Sequence, residues 1–149
     1  MATADGETAP DDAAARLRAL AARVEEQFGP GVVDLDDEAS GGFSVEPREG
    51  ACPLSVLVWG DELIFGLGTG GCRWELSRDP EDVQFIEALV DAACVGRVYE
   101  VFGPSRSRVT VRLLDGSTEH TTTYDAPTGC LPWPFWVRSK RRRRDYLPY

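Results

Sequence analysis

Six residues near the middle of the chain have the glycine spacing that lets a backbone approach phosphate oxygens closely. The segment Gly66 to Gly71 reads Gly-Leu-Gly-Thr-Gly-Gly and formally satisfies the pattern G-x-G-x-x-G. A dinucleotide site also needs a helix to begin at these glycines, because the first amides of that helix bind the pyrophosphate. The residues that follow, Cys72 to Ser77, read as a strand. We therefore interpret Gly66 to Gly71 as a loop between strands and expect no cofactor.

His120 is the single histidine of the chain and its natural candidate for acid–base chemistry. A catalytic histidine needs a nucleophile and an orienting carboxylate, which other parts of the fold would have to supply. The predicted neighbours of His120 are valine and threonine side chains of a hairpin, which favours a half-buried strand residue. We therefore predict no catalytic site, and an enzyme stays as an alternative only if Arg73, Glu75 and His120 converge in a cleft.

Four acidic residues lie close together at Asp34, Asp36, Asp37 and Glu38, and carboxylate oxygens are ligands that calcium prefers. The glycine and the bidentate acid of an EF-hand loop are missing from their required places. The four cysteines of the chain are too widely spaced for a zinc site. We therefore expect no metal, and we interpret the acidic segment as a solvated link whose charges can contact a basic partner.

The C-terminal residues 130–149 combine aromatic and basic side chains. Trp133 and Trp136 precede a basic run made of Arg141, Arg142, Arg143 and Arg144. Such a tail can bind phosphate backbones and stack bases, or lie at an anionic membrane surface. It can also offer a peptide to a protein partner, or fold back with its aromatic side chains on the outer face of the hairpin from Val56 to Phe65. The sequence leaves these alternatives open.

Charge is unevenly distributed along the chain. The 149 residues carry a net charge of −9, yet residues 138–149 hold six basic side chains and one acidic one. The remainder is strongly acidic, which disfavours nucleic acid and favours a basic partner. Residues 1–11 are acidic without a basic side chain and are predicted to be a disordered leader. With no secretory pattern and no run of about 18 apolar residues, we expect a cytoplasmic protein with reduced thiols.

Hydrophobic periodicity predicts a single α+β domain over residues 12–129. A helix is expected from Asp12 to Phe28, and a second is expected to begin after Asp79-Pro80 and to end at Gly96. Strands are expected over residues 43–47, 54–59, 62–67, 72–77, 97–102, 107–114 and 117–124. The order α-ββββ-α-βββ favours a mainly antiparallel sheet of about six or seven strands, with both helices packed on one face.

Two hairpins have a register that the sequence predicts. A two-residue loop at Gly60-Asp61 places Trp59 opposite Glu62 and makes both faces of that hairpin apolar near its middle. A second two-residue loop at Asp115-Gly116 places Val111 opposite His120. Helices cover only one face of the first hairpin, so its other face is open to a partner or to a second copy of the chain.

These features together predict a non-catalytic, acidic protein-interaction module. By analogy, small intracellular bacterial immunity or inhibitor proteins, which mask a basic partner, are the class of protein that fits. The alternative is nucleic-acid or anionic-surface binding through the arginine-rich tail, which would weaken steeply with salt.

Overall fold

The computed structural model describes residues 12–37, 39–124 and 142–149. Its two helices are α1 (Asp12–Phe28) and α2 (Pro80–Cys94). Its nine strands are β1 (Val33–Asp37), β2 (Gly42–Val45), β3 (Leu54–Trp59), β4 (Glu62–Leu67), β5 (Arg73–Ser77), β6 (Val98–Gly103), β7 (Arg106–Arg112), β8 (Thr118–Tyr124) and β9 (Arg142–Asp145). The predicted leader, residues 1–11, and most of the predicted tail lie outside the described residues.

The strands form two antiparallel sheets rather than one. The first sheet has the order β1-β2-β3-β4-β5, and the second has the order β8-β7-β6-β9. The predicted α+β class and the predicted antiparallel pairing are confirmed. The sequence predicted six or seven strands, whereas the described residues form nine. The two additional strands, β1 and β9, are edge strands of the first and second sheet, respectively. They add pairing partners at the edges without changing the order of the other elements.

Strand β1 corrects the interpretation of the acidic segment as a solvated link. Val33 to Asp37 pairs antiparallel with β2, and a bulge separates Leu35 from Asp37. All but the first residue of this strand are exposed. An edge strand pairs through its backbone on one side and faces solvent on the other, so charged side chains are tolerated there. Because β1 lacks the apolar alternation typical of a strand, its sequence did not indicate one.

The hairpin of β3 and β4 has the predicted register. Trp59 lies opposite Glu62, Leu57 opposite Ile64, and Val56 opposite Phe65. Val56 and Phe65 are fully buried, whereas Leu57 is exposed. The alternation therefore sends one side of the hairpin into the core and leaves the other side toward solvent.

The hairpin of β7 and β8 differs from the prediction by one residue. The N–H group of Leu113 donates to the carbonyl oxygen of Ser117 at 2.9 Å, which closes a three-residue loop rather than a two-residue one. Gly116 has a φ of 92° and is the left-handed residue that such a loop requires. A shift of one residue moves every side chain to the other face. His120 consequently lies opposite Thr110 and is exposed, which corrects its placement as a half-buried neighbour of Val111.

Both helices and the inner faces of both sheets enclose one apolar core. The buried stripe of α1 includes Leu17, Leu20 and Val24, and that of α2 includes Ile86 and Leu89. The helices pack against each other, α1 also contacts β1 and β2, and α2 also contacts β5 and β7. Neither helix is long and apolar enough to cross a membrane.

Candidate interaction surfaces

The loop between β4 and β5, residues 68–72, binds a carboxylate of the protein itself. Glu100 on β6 has no solvent exposure. Its two oxygens accept hydrogen bonds from the N–H groups of Thr69 at 3.0 Å and Gly70 at 2.8 Å. They also accept hydrogen bonds from the hydroxyl groups of Ser107 and Tyr146, each at 2.6 Å. The amides that suggested a phosphate site therefore hold an internal anion.

Close approach to this carboxylate explains two of the three glycines of the loop. A Cβ atom at Gly68 would lie 2.6 Å from a Glu100 oxygen, and one at Gly70 would lie 2.2 Å from the Ser107 hydroxyl oxygen. Glycine removes both clashes and lets the backbone reach the carboxylate. Glu100 was not predicted to be a functional residue, although a charged residue at an inward position between Val98 and Phe102 was the available signal.

The C-terminal residues 146–149 add buried hydroxyl groups and lie close to buried thiols. Tyr149 donates a hydrogen bond to the carbonyl oxygen of Cys52, and its N–H group donates to that of Cys94 at 3.1 Å. Burial raises the pKa of Cys52 to about 12 and that of Cys94 to about 11. Burial, followed by the hydrogen bond to Glu100, raises the pKa of Tyr146 to about 12. Both thiols are therefore protonated at neutral pH and are poor nucleophiles.

The three residues of the enzyme alternative line two different cavities. Arg73 and Glu75 form an exposed ion pair with an N–O distance of 2.9 Å on the outer face of β5. His120 belongs to the outer face of the second sheet, opposite Thr110. Within the described residues, no hydrogen bond or ion pair joins His120 to Arg73 or Glu75.

The acidic residues that were predicted to contact a partner have different positions in the structure. Asp34 lies opposite Ser44 on the outer face of the first sheet, and the exposed Asp36 lies at the bulge. The Asp37 carboxylate accepts a hydrogen bond from the N–H group of Ala39 at 3.1 Å, which stabilises the turn into β2. Glu38 lies outside the described residues. Within the part of the chain that the structure describes, no group of three or more His, Cys, Asp or Glu side chains is placed to hold a metal.

The outer face of the first sheet has an apolar centre and charged surroundings. Trp59 is 77% exposed and Leu57 is 48% exposed, and Ile64 lies opposite Leu57. Acidic side chains at outward positions or at the bulge are Asp34, Asp36, Glu62 and Glu75, and Arg73 is a basic one. A groove of about 420 Å³ crosses this face beside Ser55, Leu57 and Ile64. We call this surface the acidic face.

The outer face of the second sheet has the opposite charge. Its outward positions carry Arg106, Arg108, Arg112, His120 and Arg143, together with the carboxylate of Asp145. A cavity of about 440 Å³ lies on this face. We call this surface the basic face. It combines residues of β7 and β8, which no sequence motif marks, with one arginine of the tail.

The described part of the predicted tail pairs with the second sheet. Arg142, Arg143 and Arg144 are exposed residues of β9, which pairs antiparallel with β6. Their guanidinium carbons lie 5.5, 3.9 and 5.0 Å from the ring centroids of Phe102, Tyr99 and Tyr146, respectively. The remaining predicted tail contacts, Trp133, Trp136 and Arg141, lie outside the described residues.

Comparison with protein-family models, curated proteins and solved structures finds no match to this chain.

Proposed function

We propose that this protein is a non-catalytic interaction module whose acidic face binds a basic protein partner. The observation that carries the proposal is the exposed position of Trp59 beside Leu57. Tryptophan is strongly enriched among the residues that dominate binding energy in protein interfaces. Two large apolar side chains on one face of a hairpin, with carboxylates around them, supply the apolar centre and polar rim of such an interface.

Charge supports a basic partner rather than an acidic one. Asp34, Glu62 and Glu75 are outward residues of this sheet, and Asp36 lies at the bulge of its edge strand. Arg73 and Glu75 form an ion pair and cancel each other, which leaves Asp34, Asp36 and Glu62 to set the sign of this face. Arg78 donates a hydrogen bond to the carbonyl oxygen of Gly60 at the hairpin tip and keeps its positive charge. Complementary charge across an interface raises the association rate and disfavours partners of the wrong sign.

A role as an immunity or inhibitor protein fits these features. A protein of that kind works by covering a surface of its partner and needs no chemistry of its own. The raised pKa values of Cys52 and Cys94, and the placement of His120 and Glu75 on different sheets, support a protein without catalysis. Buried free thiols at Cys52, Cys72 and Cys94 also agree with the reducing cytoplasm as its compartment.

The proposal is tested by capture from the native host with the full chain and two matched variants. Trp59→Ala removes the 77% exposed aromatic side chain of the acidic face, and Leu114→Ala removes another exposed apolar side chain on the β7–β8 loop. We expect one basic protein to be retained by the unmodified chain and by Leu114→Ala, and to be lost with Trp59→Ala. Retention should also weaken as salt rises.

The captured protein must then bind in purified form at a fixed ratio to the full chain. Equal capture by all three proteins, or no protein that binds when purified, would refute the acidic face as the binding site. A homodimer that is broken by Trp59→Ala would assign the same face to self-association, and light scattering distinguishes the two results.

Nucleic-acid or anionic-surface binding through the tail is the second candidate. It is favoured by the exposure of Arg142, Arg143 and Arg144 on the outer edge of the second sheet. Binding to a single-stranded oligonucleotide or to anionic vesicles should then fall steeply with salt and disappear when Arg141 to Arg144 are replaced by alanine. Binding that is insensitive to salt would exclude this candidate.

A further inference from the structure

The basic face stands out because the chain as a whole carries a net charge of −9. Four arginines and one histidine occupy outward positions of β6 to β9, and Asp145 is the acidic residue among them. All four strands belong to the described residues. A local excess of positive charge concentrates anions from solution even on an acidic protein, because charges beyond a Debye length of about 8 Å are largely screened.

The cavity on this face brings several kinds of hydrogen-bond donor together. Among the residues that line it are Tyr99, Val101, Arg108, Thr110, His120 and Thr122. Arg108 donates from Nε to the hydroxyl oxygen of Thr122 at 3.0 Å, which orients its guanidinium group at the cavity. A guanidinium group has five N–H donors, and this bond uses one of them. Guanidinium, imidazole and hydroxyl groups are donors that suit an oxyanion.

Tyr99, the aromatic side chain that lines the cavity, does not favour a nucleic-acid strand, and the exposed Tyr124, which lies opposite Arg106 on the same face, is not among the residues that line the cavity. The guanidinium carbon of Arg143 lies 3.9 Å from the ring centroid of Tyr99. The same guanidinium group is held by hydrogen bonds to both carboxylate oxygens of Asp145, at 2.6 to 3.1 Å. Proteins that bind single strands stack the bases on open aromatic rings. Here an ion-paired arginine already stacks on the Tyr99 ring, so that face of the ring is not open to a base.

We propose that the cavity of the basic face binds a compact oxyanion, namely a phosphate group that is either free or carried on a small molecule. Arg108 supplies the main charge, and His120 and Thr110 supply neighbouring donors. The cavity lies on the second sheet, whereas Trp59 and Leu57 lie on the first, although β5 and β8 adjoin where the hydroxyl group of Thr121 donates to the carbonyl oxygen of Arg73. The test of the phosphate site therefore does not depend on the proposed protein partner.

The test is a titration of the full chain with inorganic phosphate, followed by amide NMR shifts at constant ionic strength. We expect saturable shifts at Thr110, His120 and Thr122. Arg108→Gln should weaken the affinity by about tenfold or more, because a hydrogen bond to a charged group is lost. Arg48→Gln, which removes the same charge from the exposed turn before β3, should leave the affinity within about twofold.

A second arm with adenosine monophosphate distinguishes free phosphate from phosphate carried on a small molecule. Tighter binding than inorganic phosphate identifies a carried group, and equal binding identifies phosphate alone. Shifts that do not saturate, or that Arg108→Gln and Arg48→Gln weaken equally, would overturn the proposal. An oligothymidylate that binds this face far more tightly than phosphate, with a steep salt dependence, would also overturn it and assign the face to a polyanion.

Discussion

Glu100 is the residue that joins separate parts of the molecule. Its carboxylate accepts hydrogen bonds from the β4–β5 loop, from Ser107 on β7 and from Tyr146 near the C-terminus. A buried carboxylate without donors would be strongly destabilising, because water no longer solvates the charge. Four donors remove that penalty. The loop, β7 and the C-terminal segment are therefore held by one side chain.

Replacing Tyr146 by phenylalanine tests this arrangement with the smallest change. Tyr146→Phe removes one hydroxyl donor 2.6 Å from the carboxylate and keeps the buried ring. We expect a loss of about 1.5–3 kcal/mol in the free energy of unfolding, measured by chemical denaturation. Tyr124→Phe removes an exposed hydroxyl group and serves as the control. Equal stability of the two variants would show that the carboxylate does not depend on Tyr146.

A pair of glycine substitutions tests the close approach of the loop. Gly70 and Gly103 both have ordinary backbone φ angles, so alanine strains neither backbone. At Gly70 a Cβ atom would lie 2.2 Å from the Ser107 hydroxyl oxygen, whereas at Gly103 the nearest atom is 3.6 Å away. We expect Gly70→Ala to lower the free energy of unfolding by about 1–3 kcal/mol and Gly103→Ala to cost much less. Thermal unfolding of both variants checks the difference.

The sequence carried part of this information at the residue scale. The glycine pattern correctly predicted a loop between two strands, but the approach of its amides to a carboxyl group was not predicted. It did not indicate that the anion is Glu100, because 30 residues separate Gly70 from Glu100. The loop belongs to the first sheet and β6 to the second, so only the packing of the two sheets brings them together.

At the scale of elements, the strands at the sheet edges were hardest to predict. β1 and β9 are rich in charged residues and pair on one side through their backbones, so their side chains carry no apolar period. The elements with a buried face, such as α1 and the β3–β4 hairpin, were predicted with the observed bounds and register. The β7–β8 register was wrong because Asp115-Gly116 fits a three-residue loop as well as a two-residue one.

Tyr146 in the C-terminal segment, together with the buried thiols of Cys52 and Cys94, leads us to expect a loss of stability in alkaline solution. The pKa is raised to about 12 for Tyr146 and Cys52 and to about 11 for Cys94, whereas the unfolded chain has values of about 10 for tyrosine and about 8.5 for cysteine. A raised pKa means that the folded state holds the proton more tightly. The stabilising contribution is therefore complete below pH ~8.5 and declines as pH rises through 11 and 12.

Denaturant unfolding between pH 7 and pH 11 measures this dependence. We expect stability to fall with a slope that steepens above pH ~9, and Cys52→Ala to reduce the slope. A stability that is flat over this range would contradict the burial of these groups. The same slope in Cys52→Ala would exclude that thiol as a contributor.

At the scale of the whole molecule, the two sheets share one core and differ in the charge of their outer faces. The first sheet has Asp34 at its outer edge, and the second has the arginines of β7 and Arg143 of β9 on its outer face. The sequence predicted the acidic majority and the basic tail from composition. It could not predict that Arg108 and Arg143 lie on one face, because the sheet order brings β7 and β9 to opposite sides of β6.

Trp59→Ala is expected to leave the stability of the molecule unchanged within about 0.5 kcal/mol. Trp59 is 77% exposed, and exposed substitutions away from special features have small effects. Chemical denaturation of the full chain measures the change. A loss of more than about 2 kcal/mol would favour the alternative in which the aromatic tail residues, Trp133 and Trp136, fold back on the acidic face.

The most direct test of the acidic face is the affinity of Trp59→Ala for the purified partner, compared with that of Leu114→Ala. Leu114 is 55% exposed and lies away from this face, so its replacement measures the nonspecific cost of removing an apolar side chain. We predict that Trp59→Ala raises the Kd about 30-fold or more, in line with at least ~2 kcal/mol for a tryptophan that dominates the binding energy of an interface. We also predict that Leu114→Ala leaves the Kd within about twofold. Equal Kd values for the two variants would contradict the proposal that the acidic face binds the partner.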